Sequence, residues 1–334
     1  MLIKNQDKNI INIQQEIESI LYKRYSILYN NARGILLNYG NNGLNFETGF
    51  DEDVLNINFE SQTVRTDIQN KTFIKRPGIY IHKLVSTFKK SEDFVILNGN
   101  NLGYWANQFI ISNNTLIFKR LPALFFDNTE IIGNRHYHFF CLDNKKKFSF
   151  EKIYIEQAGG IDSLMPILNK NYLYGISGYP LLIDGKEVWT QFINDAYDPK
   201  LLYNIENLNR LNRKSILLAL HKKYEESAIL NYHGLTFLGL DTDNNVVTLS
   251  IEENSVSRGI NLKEATKILK AFCVHNCIVL GGKGDTQIYS SKEGYLLKPL
   301  ILSHDDTCKE KVVINNIDLG FYERPIPSYM AFFK

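Results

Sequence analysis

Residues 278–289 read IVLGGKGDTQIY, an apolar β-type run that breaks into a Gly-X-Gly turn and is followed at once by Asp285, Thr286 and Gln287. Gly281, Gly282 and Gly284 lack a Cβ, so the turn can enter φ > 0 and present amide N–H groups, while Lys283 adds a cation and Asp285 an acid. Such a loop suits a phosphate or a sugar hydroxyl. The plainer alternative is a glycine hairpin between two strands.

Upstream of the loop, residues 261–272, NLKEATKILKAF, place Leu262, Ala265, Ile268 and Leu269 at helical spacing behind Asn261, a residue suited to an N-cap. Residues 237–251, FLGLDTDNNVVTLSI, read as a hairpin with DTDNN at its tip. Residues 177–189, SGYPLLIDGKEVW, read as another, turning at Asp184-Gly185. The C-terminal half therefore runs strand, strand, helix, strand, glycine loop. Nearer the N-terminus, GIYIHKLVSTF (78–88), DFVILNG (93–99), QFIISNNTLIF (108–118) and HYHFFCL (136–142) read as short strands between polar turns. His136 and His138 share one strand face, as a ligand pair or as surface residues opposite a core face made by Tyr137 and Phe139.

From Asn12 to Tyr29, the residues Ile13, Ile17, Ile20, Leu21, Ile27 and Leu28 recur mostly at three- and four-residue steps, which predicts one helix with a narrow apolar face. Such a face could pack on a second copy of the chain. Residues 38–56, NYGNNGLNFETGFDEDVLN, read as loop. The expectation is an α+β fold: a mixed β-sheet body with a few packed helices and an N-terminal helical appendage. Residues 1–70 form the appendage and 71–334 the main domain.

Composition narrows the function classes. The chain has 334 residues, 44% hydrophobic and 22% charged, an ordinary globular balance. Its 38 basic and 36 acidic residues leave a net charge of +2, too little to draw in nucleic acid or an anionic membrane. The 19 Tyr and 20 Phe suit filled β-sheet cores, with sugar stacking as the alternative. No long apolar segment stands at the N-terminus, and four scattered cysteines fit a reducing compartment, so a cytoplasmic or virion-associated protein is expected. Cys273, His275 and Cys277 are spaced superficially like ligands, but without a second cluster they read as core residues. No cofactor or metal is expected.

The order of these segments resembles the phosphodiester glycosidase family. That family opens with a strand ending in an Asn-Gly motif of the type INGGFF; VILNGNNLG here supplies Asn98, Gly99, Asn100 and Asn101. Its next mark, a GYPLLIDGK-like hairpin, stands at Gly178 to Lys186. An arginine segment of the type PRTAIG is matched loosely by NRKSILLAL through Arg213 and Ser215, and a SVGLTL-type turn by SRGINLKEAT through Ser257 and Gly259. The closing LDGGGST becomes LGGKGDT: Leu280, Gly282, Gly284 and Thr286 match, the Asp position is Gly281, the middle glycine is Lys283 and the Ser position is Asp285. The likeness spans roughly residues 93–300 and rests on the order of several weak motifs.

The resemblance implies hydrolysis of a sugar-1-phosphodiester or related glycan linkage, with a sugar phosphate or glycan as ligand. Either Asp285 has taken over from the acid absent at Gly281, or the chemistry has gone. A phosphodiester is already a good leaving group, so cation and amide contacts can replace much of the general-acid work. This nominates Arg213, Lys283, Arg258, Asn98 and Asn100 near the phosphate, with Asp285 and Glu252 or Glu253 as acid/base candidates. Gly99, Asn101, Ser257, Gly259, Gly282, Gly284, Thr286 and Gln287 complete the candidate binding set. Two rivals remain: a glycan- or phosphate-binding structural protein without catalysis, such as a phage or virion component, and an enzyme of the same scaffold acting on a small metabolite or modified peptide.

Overall fold

The structure is a computed structural model that describes residues 2–4, 10–51, 78–88, 93–100, 109–118, 135–157, 164–167, 171–188, 232–282, 285–301 and 308–334. The first half holds β1 (Leu2–Lys4), β2 (Ile10–Glu18), β3 (Tyr22–Tyr29), β4 (Ala32–Tyr39), β5 (Asn45–Phe50), helix α1 (Ile81–Leu84), β6 (Phe94–Asn98), β7 (Phe109–Ser112), β8 (Thr115–Phe118), β9 (Arg135–Asp143) and β10 (Phe148–Gln157). There follow β11 (Leu164–Ile167), β12 (Tyr172–Ile183), β13 (Lys186–Glu187), β14 (Leu235–Asp241), β15 (Val246–Ile251), helix α2 (Leu262–Ala271) and β16 (Val274–Gly282). The chain closes with β17 (Ile288–Ser290), β18 (Gly294–Leu297), β19 (Glu310–Ile314), β20 (Ile317–Glu323) and β21 (Ser328–Phe333).

A 14-stranded sheet runs β1-β2-β3-β4-β15-β14-β16-β12-β9-β10-β11, with β7 and β13 paired to β12 and β8 paired to β7. A five-stranded sheet runs β18-β17-β6-β21-β5, and β19 pairs with β20 alone. Leu97 and Met330 of the small sheet meet Leu238, Ile278 and Ile176 of the large one in a core between the two. Each such side chain, fully buried, contributes about 1.5–3 kcal/mol. Helix α2 covers the outer face of the large sheet through Ala265, Ile268 and Leu269. Helix α1 and Phe88 cover the outer face of the small one against Ile96, Tyr289 and Ala331. The layers are helix, sheet, sheet, helix.

This corrects the α+β expectation: the described residues are mostly strand, with two helices among them. Where a helix was expected over Asn12 to Tyr29, β2 and β3 form an antiparallel pair. Ile11, Ile13, Ile27 and Tyr29 are buried at two-residue steps, the strand period. A register shift between Gln15 and Ile17 inserts one extra residue and breaks the alternation, and Ile13, Ile17, Ile20 and Leu21 are left at helix-like steps. Residues 45–50, read as loop, are β5 and pair with β21. GIYIHKLVSTF, read as a strand, holds α1. The boundary expected at residue 70 lies outside the described residues.

Other local readings hold. The 177–189 and 237–251 hairpins form as β12–β13 and β14–β15, the first turning at Asp184 (φ 49°) and Gly185 (φ 72°). Helix α2 starts where Asn261 caps it, the side chain accepting from the Glu264 amide at 2.9 Å.

Candidate functional site

At one edge of the two sheets several strand ends meet. Leu235 of β14 pairs with Gly282 of β16 on one side and Ile251 of β15 on the other, while Asn98 of β6 pairs with Tyr329 of β21. The Gly281 amide donates to the Gly99 carbonyl at 3.3 Å. The Asn98 turn and the glycine loop therefore adjoin, as a shared site requires. One amide of the loop is used by this contact and is not available to a ligand.

Asn98 is buried and both polar atoms of its side chain are hydrogen-bonded. Its Oδ1 accepts from Thr236 Oγ1 at 2.8 Å and from the Gln287 amide at 3.3 Å, and its Nδ2 donates to the Gly99 carbonyl at 3.3 Å. Asn100 is also buried: Nδ2 donates to the Phe109 and Ser177 carbonyls, both at 3.0 Å, and its own carbonyl accepts from Ser328 Oγ at 2.7 Å. Both asparagines satisfy main-chain groups where strands stop, a need that arises at any buried strand end. They shape the edge from within.

Gly282 needs to be glycine for closeness. A Cβ there would lie 2.1 Å from the Gly234 carbonyl oxygen. Beyond it, Asp285, Thr286 and Gln287 are all buried. Asp285 Oδ1 lies 3.3 Å from Arg324 Nε, and the Gln287 Nε2 donates to the Arg324 carbonyl at 3.3 Å. Thr286 Oγ1 and Gln287 Oε1 are buried with no hydrogen-bond partner. Native structures hold few such atoms, and a functional site or a bound water is a common reason for one. Arg324, absent from the sequence-derived set, is thus a cation that the described residues place at this edge. The only hint in sequence was a Glu-Arg dipeptide ahead of two prolines in an otherwise apolar tail, GFYERPIPSYM.

The remaining nominees divide. Ser257 accepts from the Arg33 amide at 3.0 Å and donates to the Glu252 carbonyl at 2.7 Å, so it closes a turn. Arg258 binds both carboxylate oxygens of Glu264, at 2.8 and 2.9 Å, and stacks 3.8 Å from the centre of the Tyr232 ring. Gly259 sits at φ 79° against the His233 backbone, a conformation that side-chain-bearing residues rarely adopt. Glu252 accepts from Asn254 at 3.0 Å. Glu253 accepts the Gly234 amide at 2.9 Å and lies 3.7 Å from His233 Nδ1, one residue from the carbonyl that Gly282 abuts. Glu253 therefore borders the glycine loop, whereas Arg258 is committed to Glu264. Asn101, Arg213, Lys283 and Gly284 lie outside the described residues.

Tyr137 and Phe139 are buried on β9, so the core face opposite His138 is as the sequence suggested. Burial pushes the Cys277 thiol well up, which keeps it a neutral core group. Among the described residues, no three His, Cys, Asp or Glu side chains gather in a way that could hold a metal ion.

No family model and no curated protein matches the sequence. Solved structures do resemble it. The catalytic domain of zebrafish N-acetylglucosamine-1-phosphodiester alpha-N-acetylglucosaminidase, auto-inhibited by pro-peptide, aligns at a TM-score of 0.54 and 14% identity, covering 99% of this chain and 86% of that one. A protein from Burkholderia pseudomallei K96243 described as exported aligns at 0.47 and 8% identity over 91% of this chain and 74% of its own. A hypothetical protein from Synechocystis aligns at 0.40 and 9% identity over 97% and 64%. The first likeness establishes a shared fold across nearly the whole chain, including the N-terminal strands that the sequence motifs do not reach. At 14% identity it establishes no activity.

Proposed function

We propose that the chain is a hydrolase of the phosphodiester glycosidase type, cleaving a sugar-1-phosphodiester or a related glycan linkage. The observation that carries this reading is the junction of the Asn98 turn with the glycine loop, tied by the Gly281–Gly99 hydrogen bond on a fold shared with a phosphodiester glycosidase catalytic domain. Asp285 is the acid/base in this reading. The phosphate is held by loop amides and Lys283, with Arg213 as a further cation, and Thr286 and Gln287 offer their unused oxygens to the substrate. Arg258, held by Glu264, has no part in it. The test is hydrolysis of an aryl- or nucleoside-linked sugar phosphodiester panel by the purified chain. Turnover that disappears in Asp285→Asn supports the reading, and no turnover on any member of the panel sinks it.

A second reading, binding of a glycan or phosphate without catalysis, is favoured by one observation. Position 281 carries no acid, and its amide is spent on Gly99. Thermal shifts with sugar phosphates in the absence of turnover would select this reading, since a ligand that binds only the folded state raises stability by mass action.

A further inference from the structure

We propose, resting on that reading of the edge as the site, that Arg324 is its positioning residue: its guanidinium holds the Asp285 carboxylate ionised and fixed beside the glycine loop. The two side chains are 5% and 8% exposed, and Nε lies 3.3 Å from Oδ1, an ion-pair contact that is not a hydrogen bond. Removing two ions from water costs several kcal/mol apiece, and an apolar pair of similar volume is often as stable. Stability alone therefore does not account for an ion pair at this place. The loop that carries Asp285 also carries the unpartnered Thr286 Oγ1 and Gln287 Oε1, so charge and unused hydrogen-bonding capacity coincide within three residues.

The pair is fixed through a closed circuit. Asn98 holds the Gln287 backbone from both sides, Gln287 holds the Arg324 carbonyl, and Arg324 reaches back to Asp285, two residues before Gln287. Arg324 is anchored from the opposite direction by its neighbour. Glu323, fully buried, accepts from the Ile81 amide at 2.6 Å, the His82 amide at 3.1 Å and Tyr295 Oη at 2.9 Å, with His82 Nδ1 at 2.6 Å. Among the described residues, the ionisable groups packed at this corner include Asp285 and Arg324 on the loop side, and Glu323, His82 and Tyr295 on the other. His82 Nε2 also stands 3.9 Å from Glu310. Glu323 is occupied by its own donors, and among the described residues the Arg324 guanidinium is a cation in ion-pair contact with the Asp285 carboxylate.

The test is an NMR pH titration of protein labelled at the aspartate side-chain carboxyl carbons, with Asp285→Asn used to assign the resonance. Arg324→Gln is expected to move the Asp285 titration upward by about one to three pH units, the effect of a neighbouring arginine on an aspartate. The acid limb of kcat/KM on an aryl sugar phosphodiester should move with it, and kcat should fall about a hundredfold with little change in KM. If Arg324→Gln does not fold, Arg324→Lys takes its place; its point charge lacks the planar guanidinium, so a smaller upward move is expected. An Asp285 titration identical in wild type and variant overturns the proposal. Absent turnover alongside a shifted titration rejects the glycosidase reading instead and leaves the positioning role standing.

Discussion

The Gly281 amide donates to the Gly99 carbonyl at 3.3 Å, joining the end of a strand in the large sheet to the end of a strand in the small one. Because the link is main chain to main chain, it does not depend on either side chain. It sets the distance between the two loops that the proposed substrate must bridge.

Gly282→Ala should destabilise the fold through the neighbouring close approach. The added Cβ would meet the Gly234 carbonyl oxygen at 2.1 Å, and a backbone atom cannot swing aside as a side-chain end can. Overpacking of this kind costs about 1–3 kcal/mol. Urea unfolding reads it, and a variant with an unchanged midpoint would show that the β14–β16 contact is looser than the geometry indicates.

Asn98→Ala removes the acceptor of both the Thr236 hydroxyl and the Gln287 amide. Each donor left buried and unpaired costs about 1–3 kcal/mol, so the single variant should lose roughly twice that range. In a Thr236→Val background the same change should cost less, because one stranded donor is already gone. Equal losses in the two backgrounds would mean that the Asn98–Thr236 bond is not made.

How much of this was legible in the sequence depended on the distance over which each signal acts. Turns and caps were readable because their cause is local: Asp184-Gly185 adopts positive φ, and Asn261 caps α2 within three residues. The same logic was available at Asn30-Asn31, where φ values of 48° and 65° make a hairpin turn between β3 and β4. Apolar spacing that a bulge had disturbed outweighed it and suggested a helix. The meeting of the Asn98 turn with the glycine loop came from the order of family motifs. Arg324 was invisible because its meaning lies in a partner, Asp285, that the sheet topology alone brings near.

Stability should fall on the alkaline side. Burial, as the leading cause, pushes the phenols of Tyr22, Tyr39, Tyr80, Tyr295 and Tyr329 well above their ordinary value. A phenol whose folded pKa exceeds its unfolded one contributes fully below the unfolded value, about 10, and loses that contribution as pH rises past it. Unfolding free energy should therefore hold level up to about pH 9 and then drop, by up to about 1.4 kcal/mol per pH unit for each such tyrosine. Tyr329→Phe forfeits the 2.8 Å bond to Glu47, about 1 kcal/mol at neutral pH, but should flatten the alkaline slope. Urea unfolding from pH 7 to 11 decides, and parallel slopes in the two proteins would refute the assignment.

Asp285→Asn should have two effects that a second substitution can separate. The first is structural: the change removes the carboxylate beside the Arg324 guanidinium, whose side chain is 5% exposed, and breaking a buried pair from one side costs about 3–5 kcal/mol. The second is chemical: loss of an acid/base lowers turnover by about two to four orders of magnitude. Adding Arg324→Met removes the stranded charge and should recover much of the stability, because an apolar pair of similar volume can replace a buried ion pair. Turnover should stay low, because the carboxylate is still missing. Melting temperatures and sugar-phosphodiester hydrolysis in the wild type, both single variants and the double variant give the cycle. Turnover that returned with stability in the double variant would show that Asp285 only shapes the loop, and the acid/base would then be sought at Glu253, whose carboxylate binds the Gly234 amide beside Gly282.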